Sequence, residues 1–529
     1  MPIRISELRF PLSVDEADVA PAALRRAGVK PEDLESIELV RKSLDRRRRL
    51  PELVYTLDLH LKETALGRYG PWRDPLVRIA DDEVLAPLVR GSERLEHAPI
   101  VIGAGPAGLF AALVLARHGY RPLILERGAR MNERVRHIEA FHRKLALLPE
   151  SNYLFGEGGA GTFSDGKLTC RSKDPRGRFV LDEFRKNSGL EAIRYYYRPH
   201  LGSDRVRAVV GKIRREIESL GGRFAYGERA VGIVHGLGRM KAVRTASGDV
   251  AARVVIAGPG HSARDFYEAL LEAGVTLEQK AFQMGFRVEH PQEFVNERIY
   301  RGVGDAAKLG PADYRLSAVV GPRSVFSFCM CPGGEIMPSV HDDLHFSTNG
   351  MSYFHKDSGF ANSGLVTTVE TADFGDPHPL AGIRLQAHYE RMAAETAGAH
   401  FAVPAQPLVD FAAGRPSRDV PKTSCRSGEV PADVARFVPP WLAETVRRAL
   451  PVFERQMPGF LGTKAVICGP EARSSSPVRI VRDPETLSAV GIDGLYPVGE
   501  GAGYAGGIVS AAIDGVRAAE VVIRRFAPA

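Results

Sequence analysis

No stretch of this chain approaches the roughly 20 consecutive apolar residues that a bilayer-spanning helix needs, so no helical membrane anchor is expected. Cysteine is scarce: five among 529 residues, at Cys170, Cys329, Cys331, Cys425 and Cys468. An odd, sparse set excludes the disulfide framework of small secreted domains. Residues 1–14 mix apolar side chains with Arg4, Glu7 and Arg9 and lack the apolar centre of a signal peptide. Internal repeats and low-complexity tracts are also missing. These absences lead to the expectation of a soluble, reduced, cytoplasmic protein. Strong charge imbalance is lacking too. A net charge of +7 over this length is a weak argument for nucleic acid and suits an enzyme of anionic ligands equally well.

What is present points to a ligand-binding protein of two or three domains, since 529 residues exceed what one core usually supports. Glycine is abundant, 54 residues, and falls in short clusters, as it does where backbone approaches a ligand closely. The first ninety-odd residues form a separate small α+β module. Arg4–Phe10 and Leu53–Leu61 alternate as half-buried strands do, Ala20–Ala27 and Glu32–Ser36 are helix-like, and Ile37–Ser43 is a further strand candidate. The basic run Arg46–Arg49 falls where a hairpin turn belongs. It is either a solvated turn or a phosphate or RNA contact.

The strongest signal is Ala98-Pro-Ile-Val-Ile-Gly-Ala-Gly-Pro-Ala-Gly108. An apolar strand, Pro99–Ile102, runs into Gly103, Ala104, Gly105, Pro106, Ala107 and Gly108 and on into an Ala/Leu-rich helix. Gly103 permits a tight turn, Gly105 lets backbone approach a diphosphate, and Gly108 lets helix pack on strand. The helix N-terminus then meets the phosphate charge. A second strand, Pro122–Leu125, ends in Glu126, twenty-three residues beyond Gly103 and followed by Arg127. That spacing suits the acid that grips a ribose hydroxyl. A second Gly-rich segment follows at Phe155–Lys167. A third, Leu495–Val509, reads strand, Gly/Glu turn and helix start. A chain that returns to its ligand with a second helix N-terminus suits FAD, which is long, better than NAD.

Six segments carry a resemblance: Val101–Gly108, Gly158–Lys167, Gly260–Asp265, Phe328–Gly334, Asn349–Ser352 and Gly499–Gly507. On these the chain resembles the FAD-dependent dehydrogenases of the glutathione-reductase-like flavoprotein superfamily, in a bacterial branch with an extra N-terminal module. The resemblance implies FAD-dependent oxidoreductase activity on a small organic substrate, with NAD(P)H as a transient electron donor. It also implies that Gly499, Glu500, Gly501, Ala502, Gly506, Gly507 and Ile508 line the flavin and its ribityl-diphosphate arm. Gly159, Ala160, Gly161, Thr162 and Gly260 approach FAD as well. The spacing Gly258/Gly260/Ala263 with Glu278 reads either as a nicotinamide turn or as a strand returning to the flavin domain.

Lys167 and Arg473 are side-chain candidates for stabilising a reduced, anionic flavin. Cys329 and Cys331, two apart on a strand candidate, share one face at a Cα separation of roughly 6.5–7 Å, the outer limit for a disulfide. They are either inert or face the flavin. No companion Cys/His pair stands at metal-ligand spacing. Glu471–Pro477 holds an anionic substrate group or forms an interface loop, while His261 and His355 are structural. The expected architecture is α/β: a Rossmann-like, three-layer FAD-binding domain with an inserted mixed α+β substrate domain and the N-terminal module. Its borders are 1–95 for the module, 96–280 and 466–529 for the FAD domain, and 281–465 for the substrate cap. The rival reading is an RNA-directed flavoprotein or RNA-binding partner that uses the basic N-terminal module.

Overall fold

A computed structural model describes residues 1–45, 51–80, 86–144, 146–169, 172–300 and 309–529. The chain divides into two compact units. The first joins Met1–Ala86, Lys167–His200 and Tyr300–Gly310; the second joins Pro87–Gly166, Leu201–Ile299 and Pro311–Ala529. The small unit differs from the expected 1–95 module: its first segment ends at Ala86, and later segments join it. It recruits later segments through backbone pairing, as when the Lys42 N–H donates to the Tyr195 carbonyl (2.7 Å) and the Tyr197 N–H to the Lys42 carbonyl (3.0 Å).

In the first unit, four antiparallel strands run in the order Leu34–Asp45, Glu52–Leu61, Ile3–Pro11, Val77–Ile79. The helix Val19–Ala27 buries Val19, Ala23 and Ala27, a four-residue spacing that makes one apolar stripe. That stripe packs on Ile3, Ile5, Leu57 and Leu59. Glu32–Ser36 departs from its helix-like local pattern. A short 3-10 turn, Pro31–Asp33, gives way to a strand from Leu34, because Leu34–Asp45 finds a full pairing partner in Glu52–Leu61. Tertiary pairing overrides local propensity here. Arg46–Arg49 and Cys170 lie outside the described residues.

The second unit is built on a five-stranded parallel sheet, ordered Leu495–Pro497, Val255–Ala257, Ile100–Ile102, Leu123–Glu126, Arg223–Tyr226. The strands are short and apolar, as parallel strands covered on both faces are. Val255–Ala257 thus sits beside the first strand of the same sheet, and Glu278 pairs elsewhere, in a two-stranded ribbon with Arg479. This is the returning-strand reading of the Gly258 turn, not a nicotinamide turn. The helix Pro106–Arg117 is buried on every side from Ala107 to Ala116, as its all-apolar sequence requires. Against it packs the closing helix Ile508–Arg525. On the other face, Ile233, Met240 and Val243 of an antiparallel meander join Ile100, Ile102 and Val255 in one core, which completes three layers.

The inserted lobe is a seven-stranded sheet, ordered Ser317–Val320, Arg323–Pro332, Phe360–Val369, Phe282–Pro291, Val466–Glu471, Val403–Pro407, Glu429–Pro431. Val466–Glu471 belongs to this sheet by its register with Phe282–Pro291, so the lobe passes the expected border at 465. After the closing helix, Phe526–Ala527 adds a two-residue pairing with Glu93–Arg94. No helix among the described residues is long and apolar enough to cross a membrane.

Candidate functional site

The first Gly turn is built as its sequence demands. Gly103 has φ +90°, and a Cβ there would stand 2.3 Å from the Gly258 carbonyl oxygen. A Cβ on Gly108 would stand 1.9 Å from the Gly103 carbonyl oxygen, so only glycine brings this helix down onto its strand. The helix starts with Gly105 as N-cap and Pro106 in first position, and no side chain caps it. Beside Gly105 the space is open; the nearest atom to a Cβ there would be the Gly159 Cα at 3.9 Å.

Glu126 ends the second strand, 5% exposed. One carboxylate oxygen accepts from the Ala104 N–H (2.8 Å) and the other from Gly128 (2.9 Å) and Gly156 (3.1 Å). The expected ribose acid therefore also pins three backbone segments to one another. The Gly158 N–H closes the same corner by donating to the Ala104 carbonyl, 2.8 Å.

The tail of the chain arrives at this corner. A Cβ on Gly161 would lie 3.1 Å from Ile508 Cγ1 and 3.9 Å from Pro106 Cγ, so Gly161 separates the first residues of two helices. The closing helix begins after Gly507, which is also without a side-chain cap. Two uncapped helix N-termini at one place concentrate N–H donors and positive dipole ends, the arrangement that attracts phosphate. A Cβ on Gly499 would stand 2.9 Å from the Ala107 Cβ, and one on Gly501 2.8 Å from the Gly260 carbonyl carbon. Asp514 sets the height of the turn: its carboxylate takes the Gly499 N–H at 2.8 Å and the Arg482 guanidinium at 2.7 and 3.0 Å. His261 Nδ1 stands 3.3 Å from Glu500 Oε1.

Three observations test this corner against a dinucleotide. A Cβ on Gly260, Gly506 or Gly507 would meet nothing within 4 Å. Thr162 is fully buried, yet its hydroxyl has no hydrogen-bond partner. Both helix N-termini lack caps. Open glycine walls, an unanswered hydroxyl and two donor-rich helix starts fit a long, anionic cofactor.

The other candidates fall in different places. Ala160 opens a short 3-10 turn, Ala160–Phe163, beside Gly159, whereas Ala502 is fully buried behind the closing turn. Arg127 is held by Glu150 (2.6 Å) and Asp265 (2.9 Å), its guanidinium 4.1 Å from the Phe155 ring centre. Arg473 is committed to Glu390, with bonds of 2.8 and 2.9 Å, so it serves a buried ion pair. Lys167 belongs to the other unit, where its backbone bridges to His200.

Cys329 and Cys331 do not share a regular strand face. The register slips between Phe328 and Cys331, and Cys329 has φ +43°, the left-handed region. Such a bulge interrupts the period of two. Cys331 Sγ donates to the Cys329 carbonyl at 3.2 Å. The buried Arg287–Glu471 pair lies nearby: a Cβ on Gly350 would be 2.4 Å from Arg287 Nη1 and 3.0 Å from Cys331 Sγ.

The sequence pattern passes over two buried groups. Glu390 joins Arg264 and Arg473, each in a two-bond fork. Burial pushes its carboxyl upward, but the two guanidiniums outweigh that and hold it well below the ordinary carboxylate range. Burial and Arg473 push the adjacent His341 imidazole down to about 3. The other group is Arg134, whose guanidinium gathers loop carbonyls behind Gly159. A buried arginine on an amphipathic helix leaves no local signal of its partners.

Three families match along the chain. The FAD-dependent protein C-terminal domain matches residues 281–474, the NAD(P)-binding Rossmann-like domain 101–144, and a domain of unknown function 2–60. An uncharacterized protein of Clostridium beijerinckii is 36% identical over 538 residues, covering 99% of each chain. Among solved structures, glycine oxidase from Geobacillus kaustophilus is 11% identical with a TM-score of 0.36, covering 82% of this chain and 96% of its own. L-proline dehydrogenase from P. horikoshii is 11% identical with a TM-score of 0.32, covering 82% and 94%. Identity with the Clostridium protein from end to end places the two chains in one family, and this chain carries the FAD-dependent protein C-terminal domain and the NAD(P)-binding Rossmann-like domain.

Proposed function

We propose that this protein transfers hydride through a non-covalently held FAD, to or from a small organic substrate bound under the inserted lobe, with NAD(P)H as a transient electron donor. The single observation that carries the reading is Gly161 lying between Pro106 and Ile508, which sets two uncapped helix starts side by side.

In this reading Gly103–Gly108 and the first helix hold the diphosphate, and Glu126 takes a ribose hydroxyl. Gly159–Thr162, Gly260 and Gly499–Ala502 line the arm that leads to Gly506, Gly507 and Ile508. Bound FAD supplies reversible hydride chemistry, while the protein supplies position and electrostatics. The helix start at Gly507 would offer partial positive charge to an anionic cofactor held there, worth about 0.3–1 kcal/mol exposed and up to about 2 kcal/mol partly buried. The inserted lobe excludes water and orients the substrate.

The test is direct. Purified protein is expected to be yellow, to release intact FAD on heat denaturation, and to bleach anaerobically with NADH or NADPH in stopped flow. A colourless protein that takes up no added FAD ends the reading. A flavin that ignores both nicotinamides ends only the donor assignment.

A further inference from the structure

Arg134, on the helix Met131–Lys144, is completely buried. No carboxylate among the described residues takes its guanidinium. Nε donates to the Asn152 carbonyl (2.8 Å) and Nη2 to Tyr153 (3.0 Å). Nη1 donates to the carbonyls of Gly156 (3.2 Å), Glu157 (2.8 Å) and Gly159 (2.9 Å). Its charge sits 4.7 Å from the Phe163 ring centre. Glu157, a nearby acid, is already taken by Arg214 (2.8 Å) and by the Met131 N–H (2.7 Å). Burial pushes the guanidinium down to about 10, which still leaves it charged at neutral pH.

A buried cation with no carboxylate in contact is costly even where Glu126 and Glu157 favour its charge from a distance, and its five bonds all fall on one loop. In a planar trans peptide the carbonyl and the following N–H point in opposite directions. Drawing the carbonyls of one short loop toward a single fork therefore turns the following N–H groups away from it. The N–H after Glu157 is that of Gly158, which reaches the Ala104 carbonyl in the first Gly turn at 2.8 Å. Next to it, a Cβ on Gly159 would lie 3.0 Å from the Gly105 Cα. The fork thus presses the 156–159 backbone onto the 103–105 turn from behind.

We infer that Arg134 is a positioning residue for the diphosphate arm of FAD, acting through the 156–159 loop without touching the cofactor. The inference rests on the proposed FAD site. It requires the planar fork of arginine rather than charge alone, since lysine offers a point charge with three donors and cannot span five carbonyls. Gly156 offers a second handle on the same contact. A methyl there would stand 2.4 Å from Arg134 Cδ and, at φ +123°, would also strain the loop, so it disturbs the same contact from the loop side with the arginine retained.

The experiment titrates apo protein with FAD and, separately, with ADP, for wild type, Arg134→Lys and Gly156→Ala, and records apo melting temperature and circular dichroism. Arg134→Lys is expected to weaken FAD and ADP by a similar factor, about tenfold or more, as two or more charge-assisted hydrogen bonds are lost. Gly156→Ala is expected to reproduce the loss. A folded Arg134→Lys that binds both ligands like wild type overturns the proposal, and so does weakened FAD with unchanged ADP. If Arg134→Lys fails to fold, unchanged affinity in Gly156→Ala overturns it instead. Wild-type apo protein that takes up no FAD defeats the functional reading beneath it, a result distinguishable from either.

Discussion

Gly515 of the closing helix lies against the main chain of Ala107 in the first helix, so near that a Cβ on Gly515 would stand 2.0 Å from the Ala107 carbonyl oxygen. This contact sets the spacing of the two helices whose N-termini meet at Gly161. Gly515→Ala is expected to force them apart, at about 1–3 kcal/mol of stability, and to weaken FAD binding as the two helix starts separate. Gly211→Ala is the control. A Cβ there meets nothing nearer than Arg215 Nη1 at 3.9 Å, so it should gain about 0.5–1 kcal/mol from helix propensity. Urea unfolding of both variants, read with FAD titration, checks the pair. Equal behaviour would remove the helix contact from the account.

Glu126 offers a sharper substitution. One of its carboxylate oxygens faces the Ala104 N–H and the other faces those of Gly128 and Gly156. In Glu126→Gln the amide NH2 must oppose a backbone donor whichever way it is turned. Leaving such buried donors unanswered costs about 1–3 kcal/mol. The variant should lose that much in urea unfolding and bind FAD more weakly. Wild-type stability in this near-isosteric variant would show that the three N–H groups find other acceptors.

Much of this site is legible in the sequence because its signals are local. Gly103, Gly105 and Gly108 follow an apolar strand and open an apolar helix, and both the phosphate turn and the acid at Glu126 follow from spacing alone. Another local signal is the apolar stripe Val206, Val209, Val210, Ile213, Ile217 and Leu220, which predicts a helix over Asp204–Leu220; the structure has it at Gly202–Ser219. What the sequence hides depends on partners far along the chain. Arg473 resembles a free substrate-binding cation until Glu390, 83 residues away, is seen to claim it. Arg134 looks like one more helical arginine, because its partners are main-chain carbonyls. Cys329 is hidden for another reason: a bulge with a positive φ at a non-glycine residue carries no compositional mark.

Glu390 predicts an acid-side dependence. Its folded-state carboxyl is depressed, so its contribution is present above the unfolded value near 4.3 and is lost as pH falls toward the depressed folded value. Glu390→Gln leaves two guanidiniums, of Arg264 and Arg473, without a buried counter-charge. Breaking such a pair costs about 3–5 kcal/mol at neutral pH. The gap between wild type and variant should narrow when unfolding is repeated at about pH 3.5, where the wild type is losing the same interaction. A gap that stays constant with pH would mean the ion pair carries little of Glu390's effect.

Glu289 predicts the opposite slope. It lies in the inserted sheet, 2% exposed, and accepts from the Ser424 N–H (2.8 Å) and the Ser424 hydroxyl. Arg287, Glu429, Cys425 and Cys468 are the titratable groups that sense it. Burial pushes its carboxyl up to about 7, against the hydrogen bonds of Ser424 and the charge of Arg287. Because the folded protein holds this proton longer than the unfolded chain, the contribution is complete below about pH 4.3 and is lost as pH rises to about 7. The loss amounts to about 3 kcal/mol. Glu289→Gln keeps a neutral group there: its carbonyl accepts the Ser424 N–H and its NH2 donates to the Ser424 hydroxyl oxygen. The variant should therefore gain on wild type as pH rises from about 5 to about 8 in urea unfolding. Parallel curves across that range would mean that Glu289 ionises as readily in the folded protein as in the unfolded chain.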